Sequence, residues 1–366
     1  MGYAFPPEKT LKDIQKNQLT RTRQIKIADA KWLLDTSLKL HQEIFGEEED
    51  TALLATVYFT LGELMRARRH TSTARKYLEL ALELRRRLLR SGHALISDVI
   101  CALSEAYRTE NKLKIAEPLC QTAVELRLAV YGPDHPMVAE SLNNLAMLCF
   151  AKGKYTSARA LYERALTLRQ KLLGFRHPAV AQTYNNLAGL LHLSGDAESA
   201  EQMYRKAVMI KQCVYGGKHP DFASALNNLG LLLKARGEFA EAKEVYERSI
   251  SIQKAAYGPF HPDIASSLNN LAALYFALED IDNAKNLYRQ SVEIKRAVLG
   301  MDHPSVASAL NNLAGTFHFL LSMHHALFHR HIFYFPSTRA AVQYKSVRRG
   351  KRLVRRVRPN PYQRLR

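Results

Sequence analysis

The word Leu142-Asn143-Asn144-Leu145-Ala146 returns at Leu226-Asn227-Asn228-Leu229-Gly230, Leu268-Asn269-Asn270-Leu271-Ala272 and Leu310-Asn311-Asn312-Leu313-Ala314, with Tyr184-Asn185-Asn186-Leu187-Ala188 as a variant after the first. Each step is 42 residues. A fixed period of this size marks an array in which each unit is one supersecondary element that buries its apolar face only by stacking on its neighbours. That replaces the expectation of two or more compact domains that 366 residues would otherwise raise.

The period holds at independent columns. Alanine stands at Ala74, Ala116, Ala158, Ala200, Ala242 and Ala284, and seven residues on come Ala81, Ala123, Ala165, Ala207, Ser249 and Ser291. Small residues on one helical face let two helix axes approach, and the bulky column Leu78, Cys120, Tyr162, Tyr204, Tyr246 and Tyr288 fills the remaining space. In the third unit Leu142, Leu145, Ala146 and Cys149 form the stripe of a first helix, closed by Gly153. A second helix is expected from about Thr156 to Leu173, ending at Gly174. A His-Pro turn then opens the next first helix, with proline where its missing N–H costs nothing. Strand signals are absent. The reading is all-α: a right-handed α-solenoid with an irregular leader over 1–26, a degenerate helix at 27–46, six full repeats over 51–302, a half repeat at 303–316, and a basic, His- and aromatic-rich tail over 317–366 without regular order.

Leu142, Leu145, Ala146, Gly153, Ala158, Tyr162 and Ala165 resemble the spaced signature of the tetratricopeptide repeat, lengthened by eight residues. That length, the Tyr131-Gly132-Pro133-Asp134-His135-Pro136 turn and the repeated asparagine word resemble the repeats of kinesin light chains and of the C-terminal half of nephrocystin-3. The resemblance covers roughly residues 51–315 and implies a scaffold for protein partners on microtubule-based or ciliary machinery. The heptad coiled coil of a kinesin light chain and a nucleotide-binding G-x-x-x-x-G-K-[ST] motif are both missing, so the chain reads as the repeat half of such a protein.

The net charge of +19 is unevenly spread. From Arg330 onward there are twelve Lys and Arg and no acid, leaving 41 bases against 34 acids in residues 1–329. Attraction to nucleic acid or anionic lipid is therefore argued from the tail alone, where a solvated, self-repelling extension is the simpler reading. Cys101, Cys120, Cys149 and Cys213 show no metal spacing and read as small hydrophobes in a reducing compartment. The N-terminus lacks a signal core, and Pro6 stands where a myristoylation signal wants Ser or Thr; a cytoplasmic location is expected.

With the stripe buried, the helical step of about 100° per residue sets Asn144 near the opposite side, with Glu140, Met147 and Ala151. Asn144, Asn186, Asn228 and Asn270 then offer one carboxamide per repeat to an extended peptide backbone, lined up beside Asn143, Asn185, Asn227 and Asn269. Kinesin light chains are thought to use such asparagines on cargo peptides, so the resemblance implies the same. The competing reading ties neighbouring first helices through the amides, a role better suited to Asn143 and its equivalents. A second column, Arg66, Arg108, Phe150, His192, Lys234 and Phe276, would suit acidic and aromatic side chains or be a solvated edge. Where kinesin light chains place basic residues a turn before the asparagine, this chain has Glu140, Gln182, Ser224 and Ser266.

His93, His135, His177, His219, His261 and His303 recur once per unit, too far apart to converge on one ion, and read as turn and cap residues. The denser His318, His324, His325, His329 and His331 lack a carboxylate or cysteine. The histidines and Arg330 make membrane insertion of 313–335 costly. No catalytic constellation, metal site or cofactor motif is found. The expected function is a non-enzymatic adaptor for peptide segments; the rival is nucleic-acid binding through the tail.

Overall fold

The computed structural model describes residues 51–333 apart from 68, 69 and 302, together with positions 32, 34–40 and 43; side chains within the last helix are described as far as 319. Two compact units divide the chain, residues 1–313 and 314–366. The described residues contain no strand. Helices pair into six hairpins: Ala52–Ala67 (α1) with Thr71–Leu88 (α2), Ala94–Thr109 (α3) with Leu113–Tyr131 (α4), Pro136–Ala151 (α5) with Tyr155–Leu173 (α6), Pro178–Leu193 (α7) with Ala197–Tyr215 (α8), Pro220–Ala235 (α9) with Phe239–Tyr257 (α10), and Pro262–Ala277 (α11) with Ile281–Leu299 (α12). Pro304–Phe333 (α13) opens a seventh. The second helices α2, α4, α6, α8 and α10 also pack on the next first helix, whereas successive first helices touch at few points, so the hairpins stack as a helical solenoid.

The periodic residues produce this directly. The alanine column at 74, 116, 158, 200, 242 and 284 is fully buried, and Tyr162, Tyr204, Tyr246 and Tyr288 lie buried against it. From α3 onward each first helix starts on a histidine N-cap, whereas α1 follows Thr51, whose hydroxyl oxygen accepts from the Leu54 N–H. His135 Nδ1 accepts from the backbone N–H of Met137 at 3.2 Å, and His93, His177, His219, His261 and His303 accept in the same way from Leu95, Ala179, Asp221, Asp263 and Ser305. Gly153 adopts φ +75°, the left-handed turn that lets the chain double back into α6. Cys101, Cys120 and Cys149 are buried and Cys213 is exposed. Burial pushes Cys120 up to about 12, which suits a packing thiol rather than a nucleophile.

At 27–46 only the positions named above are described, and they are helical. One boundary differs from the sequence reading. The half repeat expected to stop at 316 instead belongs to α13, which runs to Phe333. It continues through Leu321, the position that holds Gly153, Gly195 and Gly237 in earlier repeats and where Asn111 and Glu279 adopt the same left-handed turn.

Candidate functional site

A hollow of 620 Å³ lies on the first-helix side of the first four repeats. Its walls come from α1, α3, α5 and α7, with Phe59, Glu105, Met147 and Gln182 among them; Arg127 and Arg169 reach it from the second helices. Asn144 also lines it.

The asparagines are not equivalent. Asn186 Nδ2 donates to Asn143 Oδ1 at 3.2 Å, Asn228 to Asn185 at 2.8 Å, Asn270 to Asn227 at 3.2 Å and Asn312 to Asn269 at 2.9 Å. The second amide of each dyad thus bonds the first amide of the repeat before. These rungs tie neighbouring first helices, and they engage Asn186, Asn228 and Asn270 as well as Asn143, Asn185, Asn227 and Asn269. Asn144 is the exception: the residues one repeat back from Asn143 and Asn144 are Cys101 and Ala102, so no amide waits for it, and its carboxamide makes no hydrogen bond among the described residues. The same small residues leave room for the hollow.

The expected cation column is largely closed. Arg66 donates through Nε and Nη2 to both oxygens of Glu63, at 3.0 and 2.6 Å, and Arg108 grips Glu105 likewise at 2.8 and 2.5 Å. These bonds, more than any other influence, hold both guanidinium groups above their ordinary range. Neither is therefore free for an acidic ligand. Phe150 meets Tyr155 with ring centroids 5.8 Å apart. His192, Lys234 and Phe276 are half-buried.

A second column, which helix periodicity did not single out, runs along the second helices, one residue in each: Arg85, Arg127, Arg169, Lys211, Gln253 and Lys295, of which Arg127 and Arg169 line the hollow. Arg127, 2% exposed, bonds Asp98 (2.8 Å), Glu140 (3.2 Å), Ser141 (2.8 Å) and the Met137 carbonyl (3.0 Å). Arg169, 4% exposed, donates through Nη1 to the Ala179 carbonyl (2.8 Å) and Thr183 Oγ1 (2.7 Å) and meets no carboxylate. Its Nε and Nη2 have no partner among the described residues, at the wall of the hollow. Burial pulls this guanidinium below its ordinary range, opposed by the field of Glu140. Burial lowers Lys211 as well. A nearly buried guanidinium edge with free donors is a strong seat for a carboxylate. The signal was a basic position recurring every 42 residues.

No group of three or more metal-ligating side chains occurs among the described residues, and no described helix is long and apolar enough to cross a membrane. His318 lies in α13; no side chain is described for the rest of its histidine cluster, and the basic tail falls outside the described residues.

A model of the tetratricopeptide-repeat family matches residues 96–171, 138–212, 221–297 and 263–327. No curated protein matches. Among solved structures, BtubC (BKLC) from P. vanneervenii is 24% identical over 70% of this chain and 95% of its own, with a TM-score of 0.49. A Podosopora anserina putative kinesin light chain with nearly identical repeats is 23% identical over 57% of this chain and 99% of its own, at 0.48. The apo form of RapI, 16% identical over 75% of this chain and 93% of its own, reaches 0.58 and shares the helical solenoid.

Proposed function

The chain belongs to the tetratricopeptide-repeat family, and on that premise we propose that it is a non-enzymatic adaptor whose first-helix side captures extended peptide segments of partner proteins. The observation that carries this is the convergence of two unsatisfied polar groups on one hollow: the Asn144 carboxamide, able to donate to and accept from a peptide backbone, and the Arg169 guanidinium edge, able to take an acidic side chain or a C-terminal carboxylate. Phe59 and Met147 add apolar wall to the same hollow, as in other ligand sites of this size. The amides of Asn186, Asn228 and Asn270 give one N–H to a rung and keep a second N–H and the oxygen for a peptide running on along the array. Kinesin- or cilium-linked partners are the finer form of this proposal, supported by the 42-residue spacing and the asparagine word.

Selecting random peptides displayed on phage against the full chain tests the reading. Enriched peptides should lose binding to Asn144→Ala and Arg169→Gln by about tenfold or more. Failure to enrich any peptide, or binding indifferent to both changes, contradicts it.

A further inference from the structure

The cations of the second helices run further along the array than the acids that meet them. Arg127 is bonded by the carboxylates 29 residues before it and 13 after it, Asp98 and Glu140. The same two places around Arg169 hold Glu140 and Gln182, and around Lys211 they hold Gln182 and Ser224. Glu140 is thus the last acid of its column. One of its oxygens is committed to Arg127; the other makes no hydrogen bond among the described residues, and the side chain is 48% exposed at the wall of the hollow. It is also the carboxylate whose field reaches Arg169.

We propose, resting on the peptide-capture reading, that Glu140 sets the charge of the segment admitted: an extended peptide carrying a Lys or Arg and an Asp or Glu close together, the cation on Glu140 and the anion on Arg169. Glu140 stands on α5, and the Arg169 head, rooted on α6, is held against α7 by the Ala179 carbonyl and Thr183. First helices of adjacent repeats lie roughly 8–10 Å apart and an extended chain advances about 3.3–3.6 Å per residue, so the two charges stand no more than about two or three residues apart. A purely acidic segment brings its charge against Glu140 before it reaches Arg169. A purely basic segment leaves the buried guanidinium unmatched. Like charges juxtaposed in a partly desolvated hollow discriminate between ligands more than they add affinity.

The test uses the full chain and short fluorescein-labelled peptides of Ser, Ala and Tyr carrying Lys/Glu, Glu/Glu or Lys/Lys pairs two or three residues apart, the mixed pair in both orders, read by fluorescence anisotropy. The wild type should prefer one mixed order. Glu140→Gln should raise affinity for the Glu/Glu peptide roughly threefold to tenfold and erase the preference for the mixed one. Gln182→Glu, a change at an exposed residue, should weaken the Glu/Glu peptide further. Circular dichroism checks that each variant keeps its helix content. A ranking that Glu140→Gln leaves unchanged, or a wild type that binds the Glu/Glu peptide best, overturns this inference alone. Binding of no peptide by the wild type overturns the peptide-capture reading with it.

Discussion

Asn186 donates its side-chain N–H to the carboxamide oxygen of Asn143, one repeat earlier, at 3.2 Å, and Asn143 is 1% exposed. A buried amide that loses its donor is left with an unsatisfied oxygen, so the rung stabilises the stack more than its position on an accessible helix face suggests. Asn143→Ala and Asn186→Ala should show a coupling of about 0.5–1.5 kcal/mol in a double-mutant cycle of urea unfolding. Asn144→Ala, which breaks no rung, should cost less than about 0.5 kcal/mol. Equal costs for the three, with no coupling, would contradict the assignment of structural and ligand-facing amides.

Gly230 lies under Tyr246: a Cβ added there would stand 2.7 Å from the Tyr246 ring. Ala146 and Ala188 occupy the same place in earlier repeats without difficulty. Gly230→Ala should cost about 1–3 kcal/mol by overpacking. Tyr246→Phe should be neutral or mildly stabilising, because the Tyr246 hydroxyl is buried and has no hydrogen-bond partner. Thermal unfolding of both variants checks the pair.

His135 accepts the Met137 N–H as an N-cap and stacks on Tyr131, ring centroids 4.2 Å apart. His135→Ala should destabilise by about 1 kcal/mol, and His135→Asn or His135→Asp should restore most of it by supplying another capping acceptor. A result in which alanine and asparagine behave alike would show that the ring contact, not the cap, carries the stabilisation.

The Glu117 carboxylate lies below its ordinary range because Lys152, and then Lys154, bond it across a repeat boundary. A depressed folded-state pKa means that the stabilisation is present above the unfolded carboxylate value, near about 4.3, and is lost as pH falls through the folded one. Glu117→Gln should therefore cost up to about 1 kcal/mol at neutral pH, with the gap to wild type narrowing below about pH 4. Unfolding curves at neutral and acidic pH measure it.

Much of this was legible in the residues. The 42-residue spacing located the hairpins, the alanine and tyrosine columns located their packing, and His-Pro located the helix starts, because each of these depends on local geometry or on one face of one helix. The pairing of Asn186 with Asn143 was not, since a helical wheel gives the direction of a side chain but not the offset of the neighbouring helix it meets. Arg66 and Arg108 look available until their own Glu63 and Glu105, three residues back, are seen to hold them. Arg127 and Arg169 pass for solvated charges on a surface helix, and only the stacking of the next hairpin buries them.

The most direct measurement follows the side-chain N–H resonances of the isotope-labelled chain by NMR while a phage-selected peptide is added. The account predicts that the Asn144 Nδ2 and Arg169 Nε signals move with saturation, while Asn143, held in its rung, moves little. Shifts confined to outward-facing second-helix residues such as Arg159 and Lys243, with Asn144 and Arg169 unchanged at saturation, would contradict it.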